Sequence, residues 1–144
     1  KDIALWHKNL EQKAIKYKLI SIPSGREYHF PNVYRTKWGG CSHSTTVKNY
    51  PVQGFATADI VPLACINVWS LMKERNVKSL IINTVHDSVV IDAYPGEEDI
   101  IESIIKTGCS RVKDSLLQLY DCDFNVPLDI EIKKGPNWLD LNVA

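Results

Sequence analysis

Two apolar runs, residues 79–85 and 88–93, are separated only by His86 and Asp87. Both runs are rich in aliphatic and β-branched residues, which suit strands. Two strands with almost no room between them can pair only as a tight antiparallel hairpin, with His86 and Asp87 at its tip. A two-residue hairpin turn demands positive φ and favours Asn-Gly or glycine pairs, so His-Asp is a poor choice on local grounds. Local rules tend to be broken where function requires it. Two readings of Asp87 follow. It makes only a turn hydrogen bond, or it is an acid presented on apolar arms as an oxygen ligand for Mg²⁺.

The rest of the pattern supplies elements around this hairpin. Ile3, Trp6, Leu10, Ala14 and Tyr17 recur at helical spacing, predicting an amphipathic helix over 2–18. Ser24-Gly25-Arg26 marks a turn, Glu27 to Phe30 a short extended piece, and 35–48 a polar loop. Residues 51–75 read as a long apolar helix. Pro51 is expected at its first turn, and Pro62 is expected to kink or divide it through a clash with the Ala58 carbonyl. Pro95-Gly96 opens a helix whose first turn is acidic and whose apolar face runs from Ile101 to Tyr120. Leu128, Ile130 and Ile132 alternate with charged residues, predicting a half-buried strand over 127–133. The fold class expected is α+β, with helices packed on a small antiparallel sheet.

Charge divides the chain. Residues 1–48 carry nine basic and three acidic side chains, and residues 49–144 carry eight and fourteen. A basic segment suits a polyanion and an acidic body suits cations, although ordinary surface variation gives the same split. Lys13, Lys16, Arg26, Arg35, Lys37 and Lys48 are the candidate phosphate contacts of the first part. The chain is long enough to build a core without staples, and its composition excludes disorder, collagen-like repeats and coiled coils. No apolar run approaches the roughly 20 residues that span a bilayer, so no membrane association is expected. Cys41, Cys65, Cys109 and Cys122 lack metal-finger or redox spacing and read as buried thiols in a reducing compartment. The start is charged, without a signal-peptide pattern, and begins with Lys, so a processed product or fragment is expected.

Asn49 and Gln53 stand four residues apart on a helix, where both can face one side. Their amides donate and accept, which suits base edges or sugar-phosphate contacts, although an Asn at a helix entry is usually a cap. Three blocks together resemble the C-terminal part of family A DNA polymerases, the DNA polymerase I family. They are Asn49-Tyr50-Pro51-Val52-Gln53-Gly54 with Ala58-Asp59, then Val85-His86-Asp87-Ser88, then Val126-Pro127-Leu128 through Gly135-Pro136-Asn137-Trp138. Ser24-Gly25-Arg26 with Phe30-Pro31 is also similar to the family's turn before its helix. Ser88 stands where the family usually has Glu, Thr45 where an Arg is often found, and one extra residue lies between Gly54 and Asp59.

The resemblance implies that Asp87 is one of two palm aspartates that hold two Mg²⁺ ions, and that His86 supports the primer terminus and the hairpin. Asn49 and Gln53 would contact the primer-template, with Arg26 and Lys48 as further DNA-binding residues. It implies residues 1–48 as the end of the fingers and 49–144 as the motif C half of the palm. The family's motifs A and B do not occur here. An upstream polypeptide that carries them, primer-template DNA and a dNTP are therefore the implied partners. The implied activity is DNA-directed DNA polymerisation in a phage-like enzyme acting in the bacterial cytoplasm. Two alternatives stay open: a fragment of a single-subunit RNA polymerase, whose relatives also show His-Asp-Ser, and a nucleic-acid-binding module that kept the fold and lost the chemistry.

Overall fold

The computed structural model describes residues 2–143. Helix α1 (Asp2–Tyr17) is followed by strands β1 (Leu19–Ser21) and β2 (Glu27–His29), which pair antiparallel around the Ser24-Gly25-Arg26 turn. Of the predicted α1 stripe only Leu10 and Ala14 are buried, while Ile3, Trp6 and Tyr17 are exposed. Leu10 and Ala14 pack with Ile20, Phe30, Val33 and Val47 into the first of three core clusters.

Helix α2 (Ser44–Gly54) begins seven residues before Pro51, inside the segment expected to be a polar loop. Tertiary contacts override the weak helix propensity of Ser-Thr-Thr. Val47 is completely buried in the first cluster, and Lys48 Nζ reaches Glu11 Oε1 on α1 at 2.8 Å. The expected boundary between residues 48 and 49 therefore falls within one helix that anchors both sides.

Pro62 does not divide the helix. Residues Phe55–Ile60 form a π-helical segment that leads into α3 (Val61–Glu74), and the Val61 amide bonds the Ala56 carbonyl five residues back. The wider turn gives the Ala58 carbonyl room beside the Pro62 ring, and Arg26 Nη2 reaches that carbonyl at 3.4 Å. The π segment covers the stretch between Gly54 and Asp59, where the resemblance implies one extra residue. From Ser44 to Glu74 the helix is continuous over 31 residues, long and apolar enough by length and composition alone to cross a membrane, a test that a core helix also meets. It acts here as the central core helix, contributing Val47, Leu63, Val68, Leu71 and Met72 to the three clusters.

Strands β3 (Leu80–Val85) and β4 (Ser88–Asp92) form the predicted hairpin, with a bulge between Ile81 and Asn83. Ile81 and Ile91 rest on the second cluster, built from α3 and α4. The expected helix over 97–120 is two helices, α4 (Glu98–Ser110) and α5 (Val112–Tyr120). Asn67 Nδ2 on α3 donates to the Gly108 carbonyl at 3.2 Å and to Ser115 Oγ at 3.1 Å. This interaction occupies the acceptor that a continuous helix would give to Val112, and the chain turns at Arg111.

The strand expected over 127–133 does not form. Only Lys133–Lys134 (β5) pairs, with Asn142–Val143 (β6). The alternation behind the prediction is still visible, since Ile130 and Ile132 are half-buried between exposed Asp129, Glu131 and Lys133. Among the described residues no strand lies alongside to complete a ladder. The α+β class holds, as three separate two-stranded antiparallel sheets with helices.

Candidate active site and nucleic-acid interface

The hairpin tip forms against local preference. His86 takes φ +54°, the left-handed conformation that the first central position of a tight turn requires. Val85 pairs with Ser88 across the turn, and Ser88 Oγ donates to the Val85 carbonyl at 2.8 Å. Ser88, not Asp87, makes the side-chain bond that closes the turn. The Asp87 carboxylate is exposed and forms no ion pair among the described residues. It borders an open cavity of about 990 Å³ lined by the π segment, α3, β4, α4 and residues 128–136.

A hard divalent cation takes about six oxygen ligands. No three His, Cys, Asp or Glu side chains among the described residues are grouped closely enough to hold a metal. Asp87 therefore fits one corner of such a site: an exposed hard donor with no competing cation, at the edge of an open cavity. The remaining oxygens would have to come from elsewhere.

Asn49 and Gln53 are both exposed, one turn apart on α2. Neither amide is engaged by another side chain among the described residues, and the Gln53 backbone carbonyl accepts from Thr57 Oγ1 at 2.7 Å. Thr57 and Ala56 line the same cavity as Asp87. Asn49 and Gln53 do not themselves line it; they stand two turns and one turn before Thr57 on the same helix. Gly54, next to Gln53, is fixed by close approach: a Cβ there would meet the Tyr28 hydroxyl at 1.6 Å. Tyr28 and Phe30 stack around Tyr50, with ring centroids 6.1 Å apart in each pair, so β2 packs tightly onto this stretch of α2.

The two basic site residues are engaged within the fold. Arg26 Nη2 pairs with Asp59 Oδ1 at 3.0 Å, and Ser24 Oγ donates to Asp59 Oδ2 at 2.8 Å. Asp59 is only 5% exposed, and its pairing with Arg26 raises the guanidinium pKa further. The Ser24-Gly25-Arg26 turn and the π segment are therefore one unit. Lys48 is tied to Glu11, and its ammonium, with the Ser44 hydroxyl, holds the Glu11 carboxyl below the usual carboxylate range.

Sequence reasoning gave Asp59 no role, although a single acid within an apolar helix is a signal, because a buried charge requires a partner. It also missed Glu97. The Glu97 carboxylate accepts from the Lys78 and Ser79 amides and from Ser79 Oγ, the last at 2.6 Å. These bonds depress its pKa, the Ser79 hydroxyl most, and fasten the start of β3 to the entrance of α4. At the C-terminal end Asn137 Oδ1 accepts from the Leu139 and Asp140 amides, so Asn137 shapes the turn that exposes Trp138.

The sequence pattern described as DNA polymerase family A matches residues 1–140. The chain belongs to that family. It is 42% identical over 92 residues to DNA polymerase I of Caldicellulosiruptor bescii, covering 64% of this chain and 10% of that protein. It is 33% identical over 95 residues to DNA polymerase I of Bacillus subtilis, covering 66% of this chain and 10% of the relative. DNA polymerase I of Lactococcus lactis subsp. cremoris is 26% identical over 140 residues, or 96% of this chain and 15% of that protein. The chain thus spans about a tenth of the length of the first two relatives. Its fold is similar to the POL domain of Pol1 from M. smegmatis in complex with DNA primer-template and dNTP, with a TM-score of 0.65 and 24% identity over 76% of this chain and 19% of that one. The similarities thus carry the family A reading over the RNA polymerase alternative.

Proposed function

We propose that this chain forms the end of the fingers (residues 1–48) and the motif C half of the palm (residues 49–144) of a DNA-directed DNA polymerase. It extends a primer 3′ end by two-metal nucleotidyl transfer once a polypeptide carrying motifs A and B completes the site. The observation that carries this reading is the Asp87 carboxylate, freed from turn duty by Ser88 and exposed at the cavity edge. The M. smegmatis relative is described with primer-template and dNTP, and these are the proposed partners here, in the cytoplasm of a bacterial cell and in a phage-like enzyme.

The chemistry that Mg²⁺ supplies when bound is Lewis-acid activation of a hydroxyl and neutralisation of charge at the attacking and leaving oxygens. Asp87 contributes one carboxylate to that site. His86, held in the turn beside it, supports the primer terminus. Asn49 and Gln53 orient the primer-template from the adjoining helix face, while Arg26 and Lys48 hold the scaffold and present their remaining N–H groups to phosphate. Positioning of this kind supplies much of the rate, since misplaced reactants react slowly.

The test is primer extension with Mg²⁺. The chain alone is expected to be inactive, and the protein with its motif A and B part is expected to extend with dNTPs in preference to NTPs. Extension by the chain alone would overturn the shared-site reading, preference for NTPs would favour an RNA polymerase, and DNA binding without extension by the completed protein would favour the non-catalytic module.

A further inference from the structure

Residues 28–58 contain no Asp or Glu, and the most exposed aromatic side chain of the molecule stands in the middle of this stretch. Trp38 is 96% exposed. It sits at the tip of a small hairpin, not in a slack loop. Arg35 and Cys41 form a bridge, Ser42 N bonds the Tyr34 carbonyl at 3.0 Å, and Thr36 N bonds the Gly40 carbonyl at 2.8 Å. Ser42 Oγ accepts from Tyr34 N at 2.9 Å, and Thr36 Oγ1 accepts from Gly40 N at 3.1 Å. Gly39 closes the tip at φ +81°, a conformation glycine adopts without strain. At its base Val33 is buried and Cys41 packs against the first core cluster. The backbone thus holds the indole away from every apolar surface of the chain. Arg35 and Lys37, both exposed, flank it.

An indole kept in water by a tied backbone, between two cations and within a stretch of sequence that carries no acid, has the composition of a base-stacking platform. Sequence-tolerant single-strand sites combine an aromatic face for the base with cations for the backbone. We propose that Trp38 stacks on an unpaired DNA base while Arg35 and Lys37 contact the flanking phosphates. This rests on the DNA-polymerase reading and adds a contact away from the reacting end. The hairpin adjoins the start of α2, and Thr57, at the cavity, lies 13 residues further along the helix, about 20 Å at 1.5 Å per residue. The contact therefore serves a strand remote from the hairpin tip of Asp87, such as a single-stranded extension of the template.

The experiment measures binding of the full protein to a blunt duplex and to the same duplex with an unpaired extension, across a salt series. Trp38→Ala is expected to weaken binding to the extended DNA by about 5- to 150-fold, the range measured for loss of one base–aromatic stack, and to leave blunt-duplex binding unchanged. Trp38→Phe should recover most of the loss. The salt slope should be unaltered in Trp38→Ala and shallower by about 0.7 in Lys37→Ala, the value per single-strand phosphate contact. Equal affinity of wild type and Trp38→Ala for extended DNA, with duplex binding intact, would overturn the stacking role and leave the polymerase reading standing. That outcome would also be expected if Trp38 packed on a protein partner. Failure of the wild-type protein to bind either DNA would overturn both.

Discussion

The first core cluster and the β3–β4 hairpin handle apolar residues in opposite ways. In the first, α1, β1, β2 and the start of α2 close on one another and bury Leu10, Ala14, Ile20, Phe30, Val33 and Val47. In the second, Leu80 and Ile82 remain 63% and 60% exposed on a ribbon of two strands. A two-stranded hairpin is marginal by itself, and this one is fastened by Ile81 and Ile91 beneath and by Glu97 at its base. The closed region is a scaffold that carries contacts on its outside. The open one presents an apolar face and a carboxylate without an ion pair among the described residues, the arrangement that the proposed shared site calls for.

The sharpest way to break this contrast is at Asp87. Asp87→Asn is expected to lower Mg²⁺-dependent extension by the completed enzyme by orders of magnitude, with the urea midpoint and DNA affinity unchanged. Ser88→Ala loosens the turn and should cost far less activity. Equal losses at the two positions would make the hairpin a structural element only.

A second comparison sets the tight packing of the closed side against the slack of the hairpin. Gly54→Ala forces Tyr28 from its place and should destabilise the protein by about 1–3 kcal/mol, the usual cost of overpacking. Ile82→Thr, on the exposed ribbon, should stay within about 0.5 kcal/mol in the chain alone. Denaturant unfolding of the two variants measures the difference, and a larger cost for Ile82→Thr in the completed enzyme would show that the apolar face is covered there.

Binding offers a finer probe. Gln53→Ala removes one exposed amide and should weaken primer-template binding by about 1 kcal/mol, the scale of a single hydrogen bond, while thermal stability stays unchanged. Titration of the variant with labelled duplex is the measurement, and an unchanged affinity would place DNA elsewhere than this helix face.

The smallest effect expected is in the acid limb. Glu102 accepts from Lys106 and Lys134, each at 2.5 Å, and these two ammonium groups lower its pKa to about 2. A carboxylate with a depressed folded pKa stabilises above its unfolded value of 4.5, and that contribution is lost as pH falls from there toward 2. The melting temperature should therefore decline between pH 5 and pH 2, and Glu102→Gln should shallow the decline. The variant should also loosen residues 133–134 from α4, visible as faster amide exchange in the C-terminal segment.

Sequence pattern exposed what depends on neighbours along the chain. The hairpin, its two-residue tip, the acidic first turn of α4 and the alternation at Ile130 and Ile132 follow from residue order. The start of α2 does not, because Ser44 to Lys48 become helical through contacts made by Val47 and Lys48 with α1. Nor does the break at Arg111, which depends on an amide reaching across from Asn67. The strand over 127–133 was predicted from a correct alternation, but a ladder also needs a partner, and the described residues provide none. The place of Asp87 at a hairpin tip was legible because two apolar runs flank His86 and Asp87 directly. The ion pairs of Arg26 and Lys48 are not legible in the sequence, because their partners, Asp59 and Glu11, lie 33 and 37 positions away.

The π segment has a consequence for how this part of the family can change its length. One residue added to an α-helix rotates everything beyond it by about 100°, which would change the phase of Asn49 and Gln53 relative to α3. The widened turn at Phe55–Ile60 takes up the addition on the spot, so the two ends of the long helix keep their angular phase. Pro62, which withholds an amide just where the wider turn ends, and the Arg26–Asp59 pair, which grips its buried side, hold the wider turn in that one place. Removing a residue between Ala56 and Ala58 would then restore an ordinary helical turn with both faces in phase, making this a rare point in a helix where the chain can be shortened without scrambling what it presents.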